Sequence, residues 1–354
     1  MKNIEKYLSL LNGSLDGLLL TSRYSRHYAA AFDIAEGVAI VTAKGCRYFT
    51  DSRYIESAEA GIQGFEVILT DREHPYNDLL NEAIRDFGVT KLGVEEEYLT
   101  LQEYLSYKEA LKAELIPCQE QLNAFRATKE DWEVEIMKKA QAITDQAFTD
   151  VLPRINAGMT EKELCAELIY CLYKNGAEGL SFDPIVVSGP NTSLPHGVPG
   201  DRKLQAGDFI TMDFGVLYQG YCSDMTRTVA LGFVTEEMQK VYDTVYAAQQ
   251  AGIAASKAGV RGCDVDGAAR KVIADAGYGA YFGHGYGHSL GLEIHENPRC
   301  SQGWEGRIEK GAACSAEPGV YLPGKFGVRI EDVVIFQEGG CENITHSPKN
   351  LIIL

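Results

Sequence analysis

Short apolar segments separated by polar turns make up the first part of the chain. They include LDGLLLT, GVAIVTAKGCRYFT, GFEVILT and KLGVEEE. Runs of this length are typical of strands, and GCRYFT is expected to be one arm of a hairpin. The segments SRYIESAEAG and YNDLLNEAIRDFG have helical spacing. We therefore predict an α/β domain over residues 1–122, in which no group of residues has the spacing of a catalytic or metal site.

Longer helices are predicted from residue 123 onward. Thr128 and Asp131 fit a capping box at the start of the first helix. The apolar residues predicted to form its buried face are Trp132, Ile136, Met137, Ala140, Ile143 and Ala147. A second helix is predicted from Thr160, which forms another capping box with Glu163, to Asn175, which precedes a glycine. These two helices open a second predicted domain, residues 123–354.

The order of elements then repeats along this second domain. The strand-like runs FDPIVVSG, DFITMDFGVLYQGYCSD and MTRTVALG follow the first helix pair. A second helix pair is predicted over residues 235–258 and in DVDGAARKVIADAG, and GAACSAEPGVYL and FGVRIEDVVIF are strands again. The succession of helix, helix and strands therefore occurs twice, which predicts two related halves around one cleft. Clefts of this kind are where ligands usually bind.

Composition and charge exclude several classes of protein. With 45% hydrophobic and 23% charged residues, the chain has the composition of a globular protein. Its net charge of −17, without a run of Lys and Arg, argues against nucleic acid as a partner. No apolar stretch is long enough to span a membrane or to form a secretory signal, so a cytoplasmic location without a membrane partner is expected. The nine cysteines form no CxxC pair and are expected to be reduced.

Four carboxylates interrupt otherwise apolar strands of the second domain: Asp213, Asp224, Glu317 and Glu331. Buried carboxylates are costly unless they are paired, hydrogen-bonded or bound to metal, and each one alone is better explained as a structural ion pair or a turn residue. Together with His288, from HGYGHSLGLEIHE, they form an oxygen-rich set that suits Mn²⁺, Co²⁺, Fe²⁺ or Zn²⁺. Five ligands would suffice for two metal ions about 3.5–4 Å apart that activate a bridging water for hydrolysis.

Six motifs carry a resemblance to a known family. LPHGVP, TMDFG, YCSDMTRT, GHSLGLEIHE, SAEPG and GVRIED, in this order, resemble the pita-bread metallopeptidases, which include Xaa-Pro aminopeptidase, prolidase, methionine aminopeptidase and creatinase. The run YFTDSRYIESAEAG followed by GFEVI is similar to the creatinase-type N-terminal domain. The resemblance implies a creatinase-type α/β domain followed by a pita-bread catalytic domain with pseudo-twofold helix-helix-strand repeats.

The resemblance also implies a role for each of the five candidate ligands. Asp213 would bind one metal ion through both carboxylate oxygens. Asp224 and Glu331 would bridge the two ions, and His288 with Glu317 would complete the coordination of the other. Mn²⁺ is the expected metal, with Co²⁺, Zn²⁺ and Fe²⁺ as alternatives.

Four further residues occupy family positions that act on the substrate. His295 takes the place of a substrate-contacting histidine that moves a proton, and His196 that of a second histidine near the leaving group. His284 would contact substrate in the proline-specific members, and Arg329 would orient catalytic groups. The resemblance thus places catalysis on His196, His295 and Arg329, and substrate binding on His284 and His196.

The function that the resemblance implies is hydrolysis of the N-terminal Xaa-Pro bond of peptides by a metal-bridged hydroxide, as in an Xaa-Pro aminopeptidase. The alternative is an Xaa-Pro dipeptidase (prolidase), whose substrate is a dipeptide with proline in second position. A creatinase-like amidinohydrolase is less favoured because creatinase does not need the metal pair. A non-catalytic binding module is less favoured because such proteins typically lose ligands, whereas all five positions are filled here. The family also favours a homodimer.

Overall fold

The protein is described by a computed structural model, which covers residues 2–33 and 36–354. The chain divides into two compact units, Met1–Phe125 and Arg126–Leu354. Both units combine helices with sheets, so the predicted α/β class is confirmed. None of the helices in the part of the chain that the structure describes is long and apolar enough to cross a membrane.

The first unit is built on a six-stranded sheet with the strand order β4-β3-β2-β1-β5-β6. Its strands are β1 (Gly17–Leu20), β2 (Val38–Thr42), β3 (Gly45–Thr50), β4 (Glu66–Leu69), β5 (Lys91–Val94) and β6 (Glu114–Pro117). Its helices are α1 (Lys2–Leu8), α2 (Arg23–Ala30), α3 (Ile55–Gly61), α4 (Tyr76–Phe87), α5 (Leu101–Ala110) and α6 (Gln119–Arg126), which ends at the boundary between the units. Strands β2 and β3 form the predicted hairpin.

Apolar periodicity alone does not find every helix of this unit. Helix α5 has no buried residue, so it carries no apolar stripe. Its signal is a capping box, in which Thr100 Oγ1 accepts a hydrogen bond from the backbone N–H of Glu103, and the Glu103 carboxylate accepts one from the backbone N–H of Thr100. Helix α2 begins after Ser22, whose Oγ accepts the N–H of Ser25 at 3.1 Å. Capping residues therefore mark the starts of α2 and α5, whereas α4 has no side-chain cap and is predicted from its helical spacing.

Two helix pairs organise the second unit. The first pair is α7 (Asp131–Val151) and α8 (Glu161–Lys174), and the second is α9 (Glu236–Ala255) and α10 (Gly262–Asp275). Short 3₁₀ turns lie at Leu152–Arg154, Gly189–Ser193 and Gly279–Tyr281. Strands follow each pair, so the predicted order of helix, helix and strands occurs twice.

The predicted capping boxes have different outcomes. The box of α8 is confirmed, because the Glu163 carboxylate accepts the backbone N–H of Thr160 at 2.7 Å and Thr160 Oγ1 accepts that of Glu163 at 3.2 Å. The box predicted at Thr128 and Asp131 is wrong, because Asp131 is already the first residue of α7. Glu130 caps this helix instead, and its backbone N–H donates to the Glu133 carboxylate at 2.8 Å.

The buried face of α7 is more polar than periodicity predicts. Trp132 is exposed, whereas Glu133, Gln141 and Thr144 are buried. These polar side chains contact residues 221–224: Glu133 accepts the hydroxyl of Tyr221 at 2.7 Å, and Thr144 Oγ1 lies 2.7 Å from the hydroxyl of Ser223. The third, Gln141, accepts the backbone N–H of Asp224 at 3.4 Å. Helix α7 therefore holds this segment through hydrogen bonds.

Four small sheets complete the second unit. Their strand orders are β11-β10-β7, β12-β9-β8, β14-β13-β15-β18-β19 and β16-β17. The strands are β7 (Gly179–Leu180), β8 (Ile185–Ser188), β9 (Phe209–Phe214), β10 (Val216–Tyr218), β11 (Tyr221–Cys222), β12 (Met225–Ala230), β13 (Gly287–Ser289), β14 (Glu296–Cys300), β15 (Ala313–Ala316), β16 (Gly319–Leu322), β17 (Phe326–Arg329), β18 (Asp332–Gln337) and β19 (Gly340–Asn343). One apolar core packs α7 and α8 against β8, β9 and β12, and another packs α9 and α10 against the strands that follow them.

Candidate metal centre

All nine site residues predicted from the sequence line one cavity of about 670 Å³ in the second unit. They are His196, Asp213, Asp224, His284, His288, His295, Glu317, Arg329 and Glu331. The cavity also has an apolar wall that includes Phe182, Ile185 and Ile294. A cavity of this size, lined by apolar groups and a few convergent polar groups, has the character of a small-ligand site.

Strand ends position the four carboxylates. Asp213 lies on β9, where it is the register partner of Thr226 on β12, and Asp224 directly precedes β12. Glu317 follows β15 and Glu331 precedes β18, so the prediction that they interrupt continuous strands is wrong. Glu317 and Glu331 each lie in a break between two strands. There, a side chain can turn into the cavity without interrupting a ladder of backbone hydrogen bonds.

His288 directs one ring nitrogen at two carboxylates. Burial lowers the pKa of His288 to about 3, so the imidazole is neutral. Its Nδ1 lies 3.1 Å from the carbonyl oxygen of Ser289, which assigns the ring proton to Nδ1. The lone pair of Nε2 then faces Glu317 Oε1 at 3.3 Å and Asp224 Oδ2 at 3.6 Å. These three atoms converge as the ligand atoms of a metal ion do, and a bound cation would stabilise them together.

The carboxylates themselves repel one another. Burial raises the pKa of Asp224 well above its ordinary value, and the charges of Asp213 and Glu317 raise it further. Burial and the Asp224 carboxylate do the same to the pKa of Glu331. Burial also raises the pKa of Glu317 to about 7. Such shifts are the physical signature of carboxylates collected at a place where a positive charge belongs.

The donor set fits a divalent metal ion. Ligand atoms of Asp224, His288 and Glu331 all lie within 4.8 Å of one another. The Oδ1 atoms of Asp213 and Asp224 are buried and have no hydrogen-bond partner among the described residues. A buried carboxylate oxygen without a donor is costly, and coordination would satisfy it. Asp213 and Glu317 lie outside the three-residue cluster: Asp213 Oδ2 accepts Arg329 Nη2 at 2.5 Å, and Glu317 contacts His288.

Three hydroxyl groups that the sequence analysis did not identify hold these residues. Thr226 Oγ1 donates to Glu331 Oε2 at 2.7 Å and accepts Arg329 Nε at 3.0 Å. Ser315 Oγ donates to the Glu317 carboxylate at 3.1 Å. Tyr321 accepts Arg329 Nη1 at 2.9 Å. The alternation of side chains along β12 could have revealed Thr226, which lies two residues from Asp224, whereas the sequence has no signal for Tyr321.

Both ring nitrogens of His284 are engaged within the protein. Burial lowers the pKa of His284 to about 4, so the ring is neutral. Its Nδ1 lies 2.8 Å from the carbonyl oxygen of Gly285 and carries the proton, and its Nε2 accepts the hydroxyl of Tyr321 at 2.9 Å. If His284 contacts substrate as predicted, it can therefore do so only through its ring carbons.

Three positively charged or titratable side chains line the cavity near the cluster. The ring of His295 lies edge-on to that of His288, with the ring centroids 4.4 Å apart, and partial desolvation together with the charge of Arg299 lowers the pKa of His295. His196 and His295 are exposed. Arg299, which the sequence analysis did not identify, is exposed, and its side chain has no hydrogen-bond or ion-pair partner among the described residues. Arg299 is exposed between the buried residues Pro298 and Cys300 of β14. This alternation is the pattern from which it could have been identified.

A glycine lets β13 approach β15 closely enough to present His288. A Cβ atom on Gly287 would overlap the carbonyl oxygen of Ser315. We predict that Gly287→Ala separates the two strands, costs roughly 1–3 kcal/mol of stability and weakens metal binding. Thermal unfolding and calorimetric titration with Mn²⁺ measure both effects. Gly283→Ala is the matched control, because a Cβ atom there would meet nothing within 4 Å. If Gly287→Ala behaves like this control, the close approach does not position His288.

Comparisons with known proteins identify the family of the chain. Residues 135–338 match the metallopeptidase family M24, and residues 5–128 match the creatinase/prolidase N-terminal domain. An Xaa-Pro dipeptidase from Bacillus anthracis is 41% identical, with a TM-score of 0.96 over 100% of this chain and 99% of that chain. An X-Pro aminopeptidase from Thermotoga maritima is 34% identical, with a TM-score of 0.93 over 99% of both chains. An Xaa-Pro dipeptidase of Pyrococcus horikoshii is 32% identical over 99% of both chains. The chain therefore belongs to metallopeptidase family M24 and carries a creatinase/prolidase N-terminal domain, as its motifs predict.

Proposed function

We propose that the protein is a metal-dependent Xaa-Pro dipeptidase that hydrolyses dipeptides with proline in second position. The observation that carries this choice is Arg299, a cation without a protein partner among the described residues, in the same cavity as the candidate ligands. The C-terminal carboxylate of a dipeptide lies one residue beyond the scissile bond, where a longer peptide has an amide. An arginine in this cavity therefore favours substrates that end at proline. The similarity to two Xaa-Pro dipeptidases supports the same choice.

Asp213, Asp224, His288, Glu317 and Glu331 would hold two divalent metal ions, with Mn²⁺ as the expected metal. When bound, such ions polarise the scissile carbonyl and activate water at neutral pH. The protein groups around them fix the ligands: Arg329 holds Asp213, Thr226 holds Glu331 and Ser315 holds Glu317. These donors restrict the orientations of the carboxylates before any ion binds.

In this proposal, the exposed histidines His196 and His295 transfer the proton that the reaction requires. The nitrogen of a leaving proline is tertiary in the substrate amide, so it must gain a proton before the bond can break. His295 lies beside His288 without touching the clustered carboxylates, and His196 lines the same cavity. Both imidazoles can donate to a developing oxyanion or pass a proton to the leaving nitrogen.

A matched set of substrates tests the proposal. The metal-stripped protein is reconstituted with Mn²⁺, Co²⁺ or Zn²⁺ and assayed on Ala-Pro, Ala-Pro-amide, Ala-Pro-Ala and Ala-Ala. We expect metal-dependent cleavage of Ala-Pro, with at least roughly tenfold lower kcat/KM for the amide and the tripeptide, since a lost charge-assisted hydrogen bond is worth 1.5–3 kcal/mol. Arg299→Met should raise KM for Ala-Pro and leave the amide unaffected.

Two other results of this assay would show that the protein has a different function. If Ala-Pro-Ala is cleaved as efficiently as Ala-Pro, the protein is an Xaa-Pro aminopeptidase, the second candidate, which the similarity to the Thermotoga maritima enzyme favours. If a folded, metal-loaded protein cleaves no proline peptide, another substrate class is required, and creatine is the first to assay. The homodimer stays a prediction from the family, and light scattering on the purified protein tests it. The cytoplasmic location stays a prediction from the sequence.

A further inference from the structure

A fully buried ion pair lies directly behind the candidate ligands. Arg227 Nη2 and Asp332 Oδ1 are 2.8 Å apart, and their side chains are 1% and 0% exposed. Burial of two charges carries a desolvation cost that their attraction often fails to recover, so such a pair is weak evidence for stability. Its position in the fold points to a different role.

Each residue of this ion pair directly follows, in the sequence, a residue of the candidate metal centre. Arg227 follows Thr226 on β12, and Asp332, the first residue of β18, follows Glu331. Successive side chains of an extended strand point to opposite sides. Thr226 and Glu331 meet on the cavity side, where the threonine hydroxyl donates to the carboxylate. Arg227 and Asp332 meet on the other side of the same two strands.

The arginine joins two separate sheets. Strands β12 and β18 belong to different sheets, and the backbone N–H of Glu331 donates to the carbonyl oxygen of Thr226 at 3.1 Å. Arg227 Nη1 donates to that same carbonyl oxygen at 3.0 Å and to the carbonyl oxygen of Glu331. One guanidinium nitrogen therefore binds the backbone of both strands at the residues whose side chains meet in the cavity.

Every N–H group of the guanidinium has an acceptor. Nε donates to the carbonyl oxygen of Pro348 at 3.0 Å, and Nη2 donates to the carbonyl oxygen of Ser347 at 2.9 Å as well as to Asp332. Lysine has no planar fork and cannot reproduce five directed bonds. The requirement for arginine at position 227 is therefore geometric as well as electrostatic.

Asp332 is in turn fixed from several elements. Its Oδ2 accepts Gln249 Nε2 on α9 at 2.9 Å, Asn343 Nδ2 on β19 at 2.6 Å and Lys349 Nζ at 2.5 Å. The carboxylate thus anchors Arg227 to a helix and a strand on the side away from the cavity. We call Arg227 and Asp332 the intersheet clamp.

We propose that the intersheet clamp positions the metal centre: Arg227 and Asp332 set the separation of the strand ends that carry Asp224 and Glu331. Neither clamp residue lines the cavity, so both act through the ligands. The proposal rests on the proposed function to the extent that Asp224 and Glu331 hold metal ions. Loss of the clamp should then weaken metal binding more than its effect on stability accounts for.

The test compares Mn²⁺ binding by the metal-stripped wild-type protein, Arg227→Lys and a control, Arg202→Lys. Arg202 forms a two-pronged ion pair with Asp208 at 2.6 and 2.9 Å but contacts no candidate ligand. We expect Arg227→Lys to bind Mn²⁺ roughly 10- to 100-fold more weakly by calorimetry, as for other residues that orient metal ligands. The control should keep wild-type affinity, whatever its unfolding temperature.

Each result of this test either supports or overturns the role of the intersheet clamp. If Arg227→Lys does not fold, Asp332→Asn replaces it, because asparagine keeps the shape of the side chain and removes the charge that binds Arg227. Several-fold weaker Mn²⁺ binding by Asp332→Asn then supports the clamp, and wild-type affinity overturns it. Wild-type affinity in folded Arg227→Lys also overturns it. If the wild-type protein itself binds no Mn²⁺, Co²⁺ or Zn²⁺, the proposed function fails first.

Discussion

Asp224→Asn is expected to abolish hydrolysis of Ala-Pro while leaving the protein folded. A bound divalent ion contributes several kcal/mol to the transition state, so the loss should reach roughly 10³-fold or more. Asparagine keeps the shape of the side chain but removes the charge through which Asp224 would bind a metal ion. Metal analysis of the purified variant should show fewer ions per chain than the wild-type protein.

The same substitution should have the opposite effect on the metal-free protein. Burial and the charges of Asp213 and Glu317 raise the pKa of Asp224, so the ionised side chain is unfavourable in the absence of a cation. Metal-stripped Asp224→Asn is therefore expected to unfold at a temperature equal to or above that of the metal-stripped wild type. Added Mn²⁺ should raise the unfolding temperature of the wild type only.

Asp183→Asn provides the control for this comparison. Asp183 lines the same cavity but lies outside the cluster of ligand atoms, so its variant should keep the stabilisation by Mn²⁺. Near-normal turnover in Asp224→Asn would contradict its assignment as a metal ligand. A metal-stripped Asp224→Asn that unfolds well below the wild type would mean that the repulsion among the carboxylates is relieved in some other way.

His295→Ala should lower kcat by roughly 10²- to 10⁴-fold, the usual contribution of a general acid or base. Its metal content should stay at the wild-type level, because the ring packs against His288 and makes no contact with the clustered carboxylates. Steady-state kinetics with Ala-Pro and metal analysis of the same sample separate the two properties. A variant that loses activity but keeps its metal ions has lost transition-state stabilisation.

His346→Ala is the matched control for this second variant, since His346 is exposed and lies outside the cavity. It should retain full activity and full metal content. If His295→Ala loses its metal ions instead, the roles of His288 and His295 are exchanged. If its kcat changes less than threefold, the proton reaches the leaving nitrogen through His196.

The sequence predicts the ligands better than it predicts what holds them. Asp213 could be identified because all six residues of β9 are buried, so a charge there is conspicuous. Thr226 follows from the alternation of side chains once Asp224 is known. Tyr321 contacts Arg329 across the paired strands β16 and β17, and Thr226 contacts Glu331, which lies 105 residues further along the chain. Both contacts depend on strand pairing or packing that the local sequence pattern does not encode.

Among the helices, too, features that depend on neighbouring residues can be predicted from the sequence, whereas features that depend on distant residues cannot. The capping box of α8 is encoded within four residues and was predicted correctly. The polar face of α7 was not, because Glu133 and Gln141 are buried against the segment of Tyr221 and Asp224, about 85 residues away along the chain. Polar residues whose partners are distant look exposed in the sequence, and periodicity then assigns the buried face to the wrong side chains.

The two helix pairs with their strands contribute unequally to the candidate metal centre, and this determines when the centre can form during folding. The first half supplies Asp213 and Asp224, and the second supplies His288, Glu317 and Glu331. Neither half contains the complete set of candidate ligands. The proposed centre therefore forms only when both halves have folded and packed together, so metal binding would report the folding of both halves at once.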